Sequence, residues 1–445
     1  MNAAHDAHRE PSSQLRRILG QGFGVAVIFG GMVGVGILRL PGVIAGQLGS
    51  TWLILLVWVA GALYAMLGAV NLAEVATALP RAGGFYIYAR RAFGPLGGFV
   101  QGWADWLDNC AVIAYGAVTA AEYAAALAPA LAEWQRLTAL LIVAVFFLLH
   151  LAGLPLSSRV QQVASAVTAV TFVVLAAACF LHRGPAAGVA LPATRPALTL
   201  AALVVAFRAI VVTYDGWYEA IYFTEEDTDA ARHLPRAMIS GLLLVLGLYL
   251  IMNLAFLRVF TIPALAASTL PAADAARLVL PAWGGSFVTL LALLTLLSLV
   301  NAVLLGAPRI LLAIGRDGLF SASAARVAKG GTPVGAMLFT IMASALMIVS
   351  SHLDEILAMA AVLVTATYAV NYIAVIVLRV REPGLLRPFR AWGYPVTTLL
   401  ALGGSVAFLA ATIHDDQISA LRTALLLAAA LPVYAWMRWR QRKAI

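Results

Sequence analysis

At 445 residues the chain could hold two or three soluble domains, but 62% of it is hydrophobic and only 11% charged, against about 25% charged in a soluble domain. A mean hydropathy of +0.93 leaves more apolar surface than any core can hide, so lipid must be the solvent for much of the exterior. The net charge of +9 therefore has to be read by position before it says anything about nucleic acid.

Residues 1–20 are polar, and the apolar run after them is long enough to span without a small-residue cleavage pattern, so it is expected to stay as an uncleaved anchor. Runs of about 20 apolar residues then recur along the chain. They predict twelve spans near 22–48, 52–79, 97–127, 137–153, 160–182, 199–223, 237–258, 286–314, 333–350, 355–378, 395–413 and 419–437. The N-terminal tail, the even-numbered loops and the C-terminal tail together hold 21 of the 29 basic residues, from Arg9, Arg16 and Arg17 to Arg442 and Lys443. By the positive-inside rule both termini are cytoplasmic. The basic excess is then topological, and no nucleic-acid partner is expected. Cys110 and Cys179 both fall in apolar stretches and read as packing residues.

Between spans two and three, Pro80–Leu96 mixes aromatics with arginines. It reads as an amphipathic segment at the membrane interface, or as an ordinary basic loop.

Span one holds Gly30, Gly31, Gly34 and Gly36. Gly34 and Gly36 lie two residues apart, a spacing that weakens a helix instead of building one packing face. Span six has a matching interruption at Tyr214-Asp215-Gly216-Trp217. Broken helices in corresponding positions of two halves point to a transporter built from inverted repeats. Unwinding frees N–H groups at the start of one half-helix and carbonyls at the end of the other. The first can take a carboxylate and the second an ammonium, so an amino acid satisfies both.

These residues resemble the amino acid–polyamine–organocation superfamily, most closely its L-type amino acid transporter branch. Gly34-Val35-Gly36-Ile37-Leu38 is similar to its G-S/T-G-I-F motif. Tyr214–Trp217, followed by Glu225-Glu226 and by Arg232 to Ala237, is similar to its span-six pattern. Pro80–Gly84, Arg316-Asp317-Gly318 and Arg387-Pro388-Phe389-Arg390 match in kind and place. The resemblance implies an all-α polytopic membrane protein of the leucine-transporter type, five helices repeated inverted, plus two peripheral ones. The chain would divide into a cytoplasmic tail (1–20), a ten-helix transport core (21–380), a cytoplasmic loop (381–394), two peripheral helices (395–437) and a second tail (438–445).

The resemblance also implies residue roles. Backbone around Val35, Gly36, Ile37 and Leu38 would bind the substrate carboxylate. Carbonyls near Gly31, Met32, Val33, Val212 and Tyr214 would hold the amine. Val35 replaces the usual hydroxyl residue, and Thr168 stands where many relatives carry a lysine that mimics a sodium ion. Gly30, Val33, Thr295 and Ser298 are then the candidates for a Na⁺ site, with exchange or facilitation as the alternative. Neutral L-amino acids in a plasma membrane are the implied cargo and location.

Ionisable residues at membrane depth are functional suspects. Asp105 invites a cytoplasmic-side arginine as partner. Asp108, Asp215 and Glu219 read either as a proton relay or as acids paired with buried bases. Arg39 and Arg208 read as gates of an outer vestibule or as snorkelling side chains. Trp217 and Tyr218 would shape the pocket or simply pack. Asn301 and Asn371 suit hydrogen bonds between helices. Na⁺ or H⁺ is the candidate coupling ion, no cofactor is indicated, and the oligomeric state stays open. Another small amine as cargo, a channel, or an intramembrane enzyme are the rival readings. The last lacks a nucleophile–base or metal motif, and an occluding site suits broken helices better than an open pore.

Overall fold

The computed structural model describes residues 15–184 and 198–443. Arg9, His5 and His8 of the predicted first tail, and the last two residues of the second, lie outside that range. Among the described residues there is no strand, only an isolated bridge between Leu19 and Asp227.

Span one is two helices, α1 (Gln21–Met32) and α2 (Gly36–Leu48), followed by α3 (Thr51–Ala78) and α4 (Phe85–Leu127). Next come α5 (Gln135–Leu151), α6 (Leu154–Leu181), α7 (Leu200–Thr213) and α8 (Ala230–Val259). Two short helices, α9 (Ile262–Ala267) and α10 (Pro271–Val279), lead into α11 (Gly284–Arg316), α12 (Val334–Ser350) and α13 (Leu353–Arg381). The chain ends in α14 (Val396–Asp415), α15 (Gln417–Ala428) and α16 (Ala430–Lys443). Helices are the expected solution for such a sequence, because in lipid a spanning segment must satisfy its own backbone.

Nine helices among the described residues are long and apolar enough to cross a membrane, and the bent pair α1–α2 makes a tenth. The sixth and ninth predicted spans are represented by the shorter apolar helices α7 and α12. In α7 the shortening has a clear cause: the chain unwinds at Tyr214 and resumes as a 3₁₀ turn, Glu219–Phe223.

The segment at Pro80–Leu96 is helical from Phe85 and breaks at Gly94, whose φ of 82° precedes Pro95. Its aromatic face is turned into the protein, with Phe85, Tyr86 and Tyr88 buried. Around the bundle, Leu137, Leu141, Val145 and Leu148 on α5 and Val163, Val167, Val170 and Val174 on α6 form exposed apolar stripes, as lipid-facing helices require. At the centre, α11 is buried without interruption from Ser298 to Gly315.

The motifs at the basic end are joined by charge. Buried Glu74 pairs with Arg379 and Arg387 and accepts the Ala391 N–H at 2.7 Å. Glu225 pairs with Arg316 at 2.8 Å and accepts the Ala82 N–H at 3.0 Å. Asp317 pairs with Arg90 and accepts the Tyr86 hydroxyl at 2.6 Å. Arg309 and Glu226 form an ion pair with both side chains buried.

Candidate functional site

The two breaks meet. Helices α1 and α2 bend by 52° across residues 33–35, and Gly216, at φ 93°, lies against the Gly31 backbone. A Cβ on Gly216 would sit 2.6 Å from the Gly31 carbonyl carbon, and one on Gly36 would sit 2.9 Å from Thr213 Cγ2. Only glycine permits the first approach, because a side chain would add both a clash and left-handed strain. The Tyr249 hydroxyl clamps the breaks together, 3.0 Å from the Met32 carbonyl and 3.1 Å from that of Thr213. Nothing in the sequence singled out Tyr249, one aromatic among many in an apolar run.

Between the breaks lies a cavity of about 310 Å³, within the roughly 300–1,000 Å³ range of small-ligand pockets. Of the residues expected to grip a substrate, Gly31, Met32, Val35, Gly36, Val212 and Asp215 line it. Val33, Ile37, Leu38, Tyr214 and Trp217 are buried beside it and do not. The Met32 carbonyl already accepts from Tyr249. At the start of α2 no side chain caps the helix. The Leu38 N–H bonds the Val35 carbonyl at 3.1 Å, which leaves the Gly36 and Ile37 N–H groups as the first-turn donors without an intrahelical acceptor. Val112, Leu296, Leu299, Val303 and Val364 supply an apolar wall.

Asp108, Glu219 and Arg39 line the same cavity. Arg208 does not. It faces a neighbouring groove between α3, α7 and α14, pairs with Asp415 and lies over the Phe408 ring. Asp105 finds no arginine: it accepts from the Tyr222 hydroxyl at 2.6 Å and from Asn109 at 3.2 Å. Asp215 accepts from the Tyr368 hydroxyl. Among the described residues no ion pair involves Asp105, Asp108, Asp215 or Glu219. Trp217 packs on Tyr218 and Tyr368, ring centroids 5.6 and 5.4 Å away.

The residues considered for a coupling ion lie behind α1. A Cβ on Gly30 would meet Gln161 Nε2 at 2.1 Å and Ser298 Oγ at 2.9 Å. The Gln161 amide donates to the Ala26 carbonyl (3.3 Å), Ser165 Oγ (3.2 Å) and Ser298 Oγ (3.1 Å). Its oxygen accepts from Asn301, which in turn bonds His150 at 2.8 Å. Asn301 thus links three helices, whereas Asn371 donates within its own helix, to Thr367. The Thr295 hydroxyl is spent on Leu291, and the Thr168 hydroxyl is buried without a partner.

A polytopic helical bundle with two apposed helix breaks around one ligand-sized cavity is the architecture of a membrane transporter for a small solute. Residues 24–434 match the amino acid permease family model, and the chain belongs to that family. It is 27% identical to the serine/threonine exchanger SteT of Bacillus subtilis (strain 168), over 96% of this chain and 98% of that protein. It is 26% identical to the b(0,+)-type amino acid transporter 1 of Mus musculus, over 85% of this chain and 79% of that one. Against the large neutral amino acids transporter small subunit 2 of Homo sapiens it is 27% identical, over 84% and 72%.

Proposed function

We propose that the chain carries neutral L-α-amino acids across a plasma membrane as a secondary transporter with both termini in the cytoplasm. The observation that carries this reading is the apposition of the two breaks on one cavity. The free N–H groups opening α2 suit the carboxylate, and carbonyls at the end of α1 suit the ammonium. The side chain would rest on the apolar wall of α4, α11 and α13. The ten-helix core of 21–380 would rock about this site, with the last two spans peripheral. Counterflow in proteoliposomes tests it: unlabelled internal amino acid should accelerate saturable uptake of labelled L-serine, L-threonine or L-leucine. Linear, unsaturating flux, or none with any of the twenty amino acids, would overturn it.

Sodium is not needed in this reading. A sodium ion is held by oxygen ligands, and beside Gly30 and Ser298 the Gln161 amide places N–H donors instead. Replacing external sodium with choline is expected to leave initial uptake rates unchanged. A fall of about tenfold, equivalent to 1.4 kcal/mol of coupling, would restore the sodium site at Gly30, Val33, Thr295 and Ser298.

A further inference from the structure

Asp108 on α4 and Asp215 and Glu219 at the second break open onto one cavity. Asp105 lies one turn of α4 before Asp108, and Glu219 four residues after Asp215. Asp108 Oδ1 and Glu219 Oε2 are buried with no hydrogen-bond partner. An unpaired carboxylate in a low-dielectric site is costly, and several together more so.

Arg39 on α2 lines the same cavity but forms no ion pair with these acids, and the neighbours packed directly against them supply no counter-charge. From α4 come Asp105, Asn109, Cys110 and Tyr115, and from the broken segment Tyr218 and Tyr222. From α13 comes Tyr368, and α1 offers the Gly31 backbone. On α11 the facing residue is Gly306, and Arg309, one turn on, is committed to Glu226. A neutral amino acid brings no surplus positive charge, since its ammonium is balanced by its own carboxylate.

We infer that this acidic wall is a proton-loading site that couples amino-acid movement to proton movement. This rests on the transport reading above and adds the coupling ion to it. A proton from water on the loading side adds to a carboxylate oxygen of Asp108 or Glu219, forming one O–H bond. After the opposite side opens, that bond breaks and the proton returns to water there, so each cycle moves one cargo molecule and one positive charge. Asp105 and the Tyr222 hydroxyl bonded to it lie one turn of α4 nearer the basic end than Asp108, and they mark the path of discharge.

The test uses the full chain in proteoliposomes loaded with a pH-sensitive dye. Adding external L-serine, L-threonine or L-leucine is expected to acidify the lumen, and an acid-outside gradient to drive accumulation above the external concentration. Glu219→Gln and Asp108→Asn should lose acidification per molecule of cargo moved, and Glu219→Asp should restore it. Wild-type counterflow without acidification overturns the inference and leaves the transport reading standing. Absence of counterflow with every amino acid overturns both. A third result also overturns it: flux of L-arginine or L-lysine that Glu219→Gln abolishes, with no proton movement beside neutral cargo. That would make the wall a cation subsite for the cargo. The first two results need only the wild-type protein, so they do not depend on any variant folding.

Discussion

Alanine in place of Gly216 is expected to cut initial uptake by about 100-fold, the penalty for displacing a reacting geometry by roughly 1 Å. The new Cβ would stand 2.6 Å from the Gly31 carbonyl carbon and 3.0 Å from the Met32 N. Both are backbone atoms, which cannot swing aside as a side chain would. The residue would also have to keep a φ of 93°, a region that costs an L-residue about 1–3 kcal/mol. Relief comes only by pushing the two breaks apart, which loosens the Tyr249 clamp and widens the site that should grip both ends of an amino acid. The helices themselves should survive, so far-UV circular dichroism should match the parent. Gly247→Ala is the control: nothing lies within 4 Å of a Cβ there, and it sits inside α8. Parental uptake by the Gly216→Ala protein would mean that the contact between the breaks does not set the binding geometry.

That Gly216 matters was legible before any coordinates, and the reason is local. A glycine beside Asp215 in the middle of an apolar run interrupts a helix by its own backbone preference. The α1–α2 break was legible for the same reason at Gly34 and Gly36. Most spans were readable because hydropathy is additive along the chain. Span six, expected over 199–223 with a break at Tyr214–Trp217, is α7 followed after that break by the 3₁₀ turn Glu219–Phe223. Partnerships across the bundle were not legible. Asp105 suggested an arginine and found Tyr222, 117 positions away. Arg208 suggested a vestibule and found Asp415 on α14. Tyr249 and Gln161 carry no local signal, because each acts through which carbonyls and hydroxyls other helices bring to it. Charge and breaks can be read from the chain; the counterparts depend on packing.

The largest loss of stability is expected at a pairing of this second kind. Arg309 is buried in α11, and its guanidinium makes two bonds to Glu226, one of them 2.7 Å long. It also bonds the Leu305 carbonyl and lies 4.5 Å from the centroid of the Phe223 ring. The Glu226 carbonyl accepts the Ile18 and Leu19 N–H groups at 3.0 Å, so the pair anchors the segment before α1 as well as the loop after the second break. Arg309→Met removes the cation and leaves the Glu226 carboxylate buried alone, an error worth about 3–5 kcal/mol. Purified protein in detergent should therefore melt well below the parent in a tryptophan-fluorescence scan. Glu226→Leu should do comparable harm by stranding the guanidinium. The double variant Arg309→Met/Glu226→Leu should recover most of the loss, because a matched apolar pair no longer strands a charge in the core. If the double variant instead melts as low as the two single losses added together, the pair is not coupled. The anchoring to α11 of the segment before α1 and of the loop after the second break would then have to come from the surrounding packing alone.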